Sequence, residues 1–270
     1  MSSQSFNPYG YYLPSKAIAI AGAFVFLLLS VLHVWKIFQF KKWFGFANVL
    51  GGLFEAVGLA ARAYSRDNLE KKKPFIIQVL LILLAPILFT AAVYMFLGRL
   101  IRASGHEKLS IINVGWLTKI FVVGDIFCFF IQAAGAGKLV NAETSSSIST
   151  AENIILGGLG LQILFFCFFV LCAAVFHIRI SKQVAKWIDP ALRLIPMLWS
   201  LYFCSLLITV RNIFRLAEYR SGTGGYLQTH EWPMYGLDVA LMALLMVVSF
   251  FWYSKPNTSE PSDEYSLARL

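Results

Sequence analysis

Charge is what this chain has least of. Of its 270 residues 14% are Asp, Glu, Lys or Arg, and 14 residues are acidic, whereas 58% are hydrophobic. A mean hydropathy of +0.68, with 24 Phe, 11 Tyr and 7 Trp, excludes an ordinary soluble domain, in which about a quarter of residues are charged. Cysteine is scarce as well. Cys128, Cys167, Cys172 and Cys204 all fall inside apolar runs, and no CxxC pair occurs. A disulfide framework or a zinc cluster has no basis, and the four read as small apolar packing residues.

Catalytic signatures are missing in the same way. His33, His106, His177 and His230 form neither HxxxH nor HxxHH, which argues against a di-iron or zinc site. GxSxG is absent, so nucleophilic hydrolysis has no foothold. Gly135, Gly137 and Lys138 resemble the end of a phosphate loop, but that pattern requires glycine where Gln132 stands. No internal repeat supports an inverted-repeat transporter. The chain is therefore expected not to be an enzyme and to need no cofactor. Its formal net charge of +9 lies between apolar runs, where Lys and Arg meet lipid headgroups and set orientation. Basicity here points to membrane, with no nucleic-acid partner.

What is present is a series of apolar runs near the ~20 residues that cross a bilayer. Seven are expected, over about 17–40, 43–63, 75–98, 111–134, 154–178, 194–216 and 235–254. The fold class is all-α, a polytopic seven-transmembrane helix bundle. It comprises a short N-terminal segment 1–16, a membrane domain 17–254 and a disordered tail 255–270. The first run is too long for a signal-peptide core and lacks a small-residue cleavage site. Counting Lys and Arg on alternate sides gives twelve against eight in favour of an N-terminus outside and a cytosolic C-terminus. Lys71 to Lys73 run against that count. On this topology Asn257-Thr258-Ser259, a glycosylation acceptor by pattern, faces the cytosol.

The few ionisable residues inside these runs carry the functional reading. An ionised side chain at mid-bilayer costs at least ~2.5 to 3.5 kcal/mol, so several together imply pairing or a hydrated cavity. Arg211, Arg215 and Glu218 share one face of span 6 by i, i+4, i+7 spacing. Glu55 falls near the midplane of span 2 and Arg62 near its outer end. Asp125 lies in the outer half of span 4, with Gln132 two turns on. Asp238 opens span 7, just after Glu231. These nine are the candidate substrate-binding residues: a polar pocket open to one leaflet, suited to an amphiphile whose amine or phosphate head enters while its tail stays in lipid. Glu55, Asp125 and Asp238 would receive a cationic head, and the arginines would balance the acids or contact phosphate. Buried structural ion pairs and snorkelling arginines are the alternative. Pro86, in mid-span 3, should free a carbonyl that neighbours must satisfy. Gly51, Gly52, Gly157, Gly158 and Gly160 are expected to admit close helix approach.

The chain resembles the fungal lipid-translocating exporter family, the RTA-like seven-span proteins, from about Tyr12 to Pro256. Span 2 reads Glu55-Ala-Val-Gly58-Leu-Ala-Ala-Arg62, like the family's E-x-x-G-Y-x-x-R with Leu59 in place of tyrosine. Span 3 offers Ala85-Pro86-Ile87 followed by Ala92, Tyr94, Gly98 and Arg99. Span 4 gives Phe121, Val122, Asp125, Gln132, Gly135 and Gly137, and span 5 Gly158, Leu159 and Gln162. Arg211-Asn-Ile-Phe214-Arg215 leads to Glu218, Tyr219 and Gly222, then Glu231-Trp232, Tyr235 and Asp238. The resemblance implies movement of sphingoid long-chain bases or phospholipids toward the outer leaflet, resistance to toxic lipids or drugs, and residence in the plasma, vacuolar or another internal membrane. Its partners would be membrane lipids or amphiphilic small molecules; oligomeric state is open. A seven-span lipid or stress sensor is the alternative, although D-R-Y and NPxxY, the marks of a G-protein-coupled receptor, are absent.

Overall fold

Residues 13–140, 142, 144–184, 194–221 and 225–253 are described by a computed structural model. The first twelve residues of the expected N-terminal segment, the expected tail 255–270 with its Asn257 tripeptide, Lys186, Arg193 and Gly222 lie outside them.

Helices account for nearly every described residue, and seven of them are long and apolar enough to cross a membrane. They are α1 (Lys16–Phe40), α2 (Phe46–Asp67), α3 (Lys72–Ala103), α4 (Val114–Val140), α5 (Ser145–Val184) and α6 (Leu194–Arg220). A single-turn α7 (Tyr226–Thr229) precedes the last span, α8, which runs over Trp232–Tyr253. The structure thus bears out the all-α, seven-span architecture. Helix α5 reaches well beyond the run visible in hydropathy. Its 40 residues begin where the Thr144 hydroxyl accepts the Ser147 backbone N–H at 3.2 Å, a cap that a search for apolar residues does not see.

Adjacent helices pack in chain order, and α8 closes the ring against α1 and α6. Helices α3 and α6 also touch, so they divide the bundle into two lobes. One lobe holds α1, α2 and α8, the other α4 and α5. Apolar side chains face outward as well as inward: Phe24 is 65% exposed, Phe38 68% and Phe251 70%. Such a surface is stable only against acyl chains.

Small and polar residues sew the first lobe together. A Cβ on Gly52 would collide with the Ser30 hydroxyl and with Met246, so α1, α2 and α8 meet there only because position 52 lacks one. Gly158 plays the same part between α5 and α4, where a Cβ would strike Gln132. Gly157 and Gly160 face open space, contrary to the close approach expected of them. His33 on α1 bonds the Tyr253 hydroxyl at 2.9 Å and the Met246 carbonyl at 3.0 Å, and Asn48 donates to the Ser249 hydroxyl at 3.0 Å. Without water, each of these buried polar groups must find a protein partner.

Candidate functional site

The charged residues of α2, α6 and α8 meet at the end of the bundle where α1 begins. Arg211 and Arg215, one turn apart on α6, converge on Asp238. Arg211 Nε donates to Asp238 Oδ1 at 2.5 Å, and Arg215 Nη2 stands 2.9 Å from Oδ2. Asp238 sits in a π-helical turn, Tyr235–Val239, whose extra residue per turn re-aims the side chains around it. Arg215 also donates to Glu218 Oε2 at 2.9 Å. Asp238 is fully buried and Arg211 3% exposed. The desolvation cost of such a pair is several kcal/mol per ion, which geometry this close offsets.

Arg211 has a second task. Pro86 has no N–H, so the Ile82 carbonyl on α3 loses its ordinary helical donor. Arg211 Nη2 donates to that oxygen at 3.4 Å. Thr90, a turn later, returns its hydroxyl to the Pro86 carbonyl at 2.6 Å. The helix therefore continues through its proline, tied to α6 where it is weakest.

Toward the bundle end a second group caps the first. Both oxygens of Glu231 accept the Ser15 backbone N–H, at 2.8 and 2.9 Å, and Oε1 lies 3.7 Å from Arg62 Nη2. The Arg62 guanidinium stands 5.9 Å from the centre of the Tyr235 ring. Glu231 thus joins the start of α1 to α2 across the mouth of the lobe.

Glu55 lies beneath this cap, fully buried, within electrostatic reach of Asp238, Arg211 and Arg215. Neither of its carboxyl oxygens has a hydrogen-bond partner among the described residues. Three arginines, Arg62, Arg211 and Arg215, therefore gather with four carboxyl groups, Glu55, Glu218, Glu231 and Asp238, where α6 borders the first lobe. Six of these seven are paired across or along helices, and Glu55 is left over.

Asp125 and Gln132 do not join them. Asp125, on α4, is 1% exposed and accepts the Tyr94 hydroxyl from α3 at 3.0 Å, with its other oxygen unpartnered among the described residues. Aromatic rings of Phe121, Phe166 and Phe169 enclose Tyr94, at centroid distances of 5.3, 6.4 and 4.5 Å. Gln132 donates to Gln162 on α5 at 2.8 Å. Helical depth alone suggested one convergent pocket; the helix ring places α4 on the far side of α3, and two separate polar spots result. Sequence reasoning left out Ser15 and Tyr94 as partners; it expected Pro86 to free a carbonyl, and the structure names Arg211 as the neighbour that satisfies it.

Among the described residues no three of His, Cys, Asp and Glu stand together as metal ligands would. The four cysteines are free, three of them buried and Cys167 exposed.

Comparison with known proteins places this arrangement. Residues 48–258 match the family described as RTA1 like protein. The chain belongs to that family. The matched stretch holds every residue of the charged lobe from Glu55 to Asp238. Among its relatives in Saccharomyces cerevisiae, protoporphyrin uptake protein 1 is 37% identical over 200 residues, covering 74% of this chain and 65% of that protein. Protein RTM1 is 37% identical over 210 residues, with the same 74% and 65% coverage. Sphingoid long-chain base transporter RSB1 is 27% identical over 280 residues, 91% of this chain and 73% of that protein. The chain thus spans somewhat under two thirds of the length of the first two relatives. No solved structure matches it.

Proposed function

We propose that this RTA1-like protein moves amphiphiles with a cationic head, of the sphingoid long-chain base type, toward the outer leaflet, and so protects against toxic lipids. Glu55 carries the reading. A buried carboxylate without hydrogen bonds is costly, and the cluster around it holds four carboxyl groups against three guanidinium groups. A single ammonium headgroup supplies the missing charge and up to three donors. Two relatives named for uptake of protoporphyrin and transport of a sphingoid base support movement of amphiphiles by this family. The Lys and Arg count supports an N-terminus outside, which puts the charged lobe in the outer leaflet. Access requires the Ser15–Glu231–Arg62 cap to part. No nucleotide is hydrolysed by this chain in the proposed cycle.

The test is translocation of a fluorescent long-chain base in vesicles reconstituted with purified protein, read by quenching from outside. Glu55→Gln keeps the size of the side chain and removes the charge. It should slow translocation at least tenfold while the protein stays monodisperse. Asp125→Asn, in the other lobe, should leave translocation within about twofold. Equal rates for wild type and Glu55→Gln overturn the reading.

A further inference from the structure

Glu55 sits on the face of α2 that α1 and α8 cover. About one turn toward the start of α2, Gly52 lies against Ser30 and Met246; one turn on, the fully buried Leu59 meets α1 at Gly22, where a Cβ would stand 3.0 Å from it. Side-chain packing thus closes this face on both sides of the carboxyl. The charged neighbours come from other helices: Asp238 from α8, Arg211 and Arg215 from α6. On α2 itself Arg62 lies two turns further out. Between Lys16 and His33, and again between Lys73 and Arg99, α1 and α3 carry no charged residue. Tyr219 and Tyr235 bring phenols to the cluster, beside Arg215 and Arg62.

Each guanidinium of the cluster already has a carboxylate. Arg62 has Glu231 at 3.7 Å, Arg211 has Asp238, and Arg215 has Glu218 at 2.9 Å. These three pairs sum to no net charge, so an ionised Glu55 adds a lone negative charge in a fully buried position, which is expensive to maintain. Two occupants remove that charge: a proton on the carboxyl or an ammonium beside it. They exclude each other, because a neutral carboxyl offers an ammonium no counter-charge. We propose that Glu55 is a single seat shared by a proton and the amphiphile's ammonium, so that the protein exchanges one proton for each cationic amphiphile it moves. The exchange rests on the transport reading and supplies its driving force. On the cytosolic side the amphiphile's ammonium meets Glu55 as a carboxylic acid; the O–H bond breaks, the proton passes to water on that side, and the carboxylate holds the ammonium. On the outer side the ammonium leaves with its own hydrogens, and a proton from the water there forms the O–H bond again. No other bond changes, and one positive charge crosses in each direction. A carboxylate with neither occupant is too costly to carry through the closed bundle, so the site does not return empty and the two flows are coupled. Asp238 is not available for this exchange, because Arg211 and Arg215 already occupy both of its oxygens.

Proton release on binding tests it. The purified full chain in weakly buffered maltoside micelles is titrated with sphingosine while an indicator dye reads the pH. About one proton should leave per amphiphile bound by wild type and none from Glu55→Gln, and release should return in Glu55→Asp, which keeps the carboxyl. Binding by wild type without release overturns the proposal. In vesicles, a fluorescent long-chain base with a trimethylammonium head has no proton to lose and cannot cross as a neutral amine. It should gather about tenfold in the outer leaflet when the outside is one pH unit more acidic; an even distribution across that gradient, by a protein that moves the probe, overturns the exchange as well. If the trimethylated head is not carried, release on binding decides, and if Glu55→Gln does not fold, the wild-type stoichiometry does. The transport reading fails separately, when Glu55→Gln translocates as fast as wild type. Translocation that needs Glu55 but ignores the pH gradient and releases no proton leaves that reading standing and removes only the exchange.

Discussion

Arg211 donates to the Ile82 carbonyl, the acceptor that Pro86 leaves without its helical N–H, while its Nε holds Asp238. A backbone gap in α3 and a buried acid on α8 are thereby closed by one guanidinium on α6. Three helices share a joint in which loosening any member exposes the other two.

Replacing Pro86 by Ala supplies the absent N–H, so Ile82 regains its helical donor and the tie to α6 loses its purpose. Helix propensity favours Ala by about 3 kcal/mol in a helix interior, and thermal unfolding in detergent should shift upward by about 1 to 3 kcal/mol equivalent. Translocation should fall several-fold, because α3 no longer depends on α6 for its Ile82 carbonyl. A destabilised Pro86→Ala protein would show that the proline is packed for shape and not for this joint.

Asp238→Asn leaves two guanidinium groups facing a neutral amide. Removing one partner of a buried pair costs about 3 to 5 kcal/mol, and unfolding should reflect that. Glu218→Gln removes a half-buried partner of Arg215 and should cost clearly less. Measuring both, and the double variant, gives the coupling through Arg215; strict additivity would mean that the arginine is not shared.

Tyr94→Phe strips Asp125 of its hydrogen bond inside a ring of Phe side chains. The loss should be about 1 to 3 kcal/mol, the cost of a buried group left unsatisfied. Tyr94→Phe combined with Asp125→Leu, which removes both polar groups, should recover most of it. No recovery in that double variant would mean that Asp125 has a further partner.

Gly45→Ala places a methyl group on the phenol of Tyr253, and Gly52→Ala places one against Ser30 and Met246. Both should reduce the yield of monodisperse protein, Gly45→Ala the more severely, because an aromatic ring cannot give way as the methionine tip can. Gly160→Ala, with nothing near its Cβ, should express like wild type and gain slightly in helix stability. Size-exclusion profiles of the three decide the order.

The number of spans was legible because hydropathy acts residue by residue: each apolar run of bilayer length must be helical, whatever its neighbours do. The candidate residues were legible for a related reason, since charge inside such runs is rare enough to stand out. Their grouping was not. Glu55 and Asp125 look equivalent in sequence, each a lone acid in an apolar run. Only the order of helices around the bundle puts one with Arg211 and the other with Tyr94. The π-helical turn around Asp238, the open space at Gly157 and Gly160, and the cap at Thr144 that lengthens α5 escaped for the same reason, as packing and local hydrogen bonding and not hydropathy decide them.

The amino-acid sequence alone therefore determined that this chain lives in a membrane, spans it seven times and carries buried charge, because transfer from water to lipid depends on composition over a window of residues. Tertiary structure decided which charges meet, that Glu55 is left over from the ion pairs around it, and that Asp125 stands apart beside Tyr94. Those facts depend on distances between residues far apart in the chain, and a distance of that kind exists only once the helices have packed.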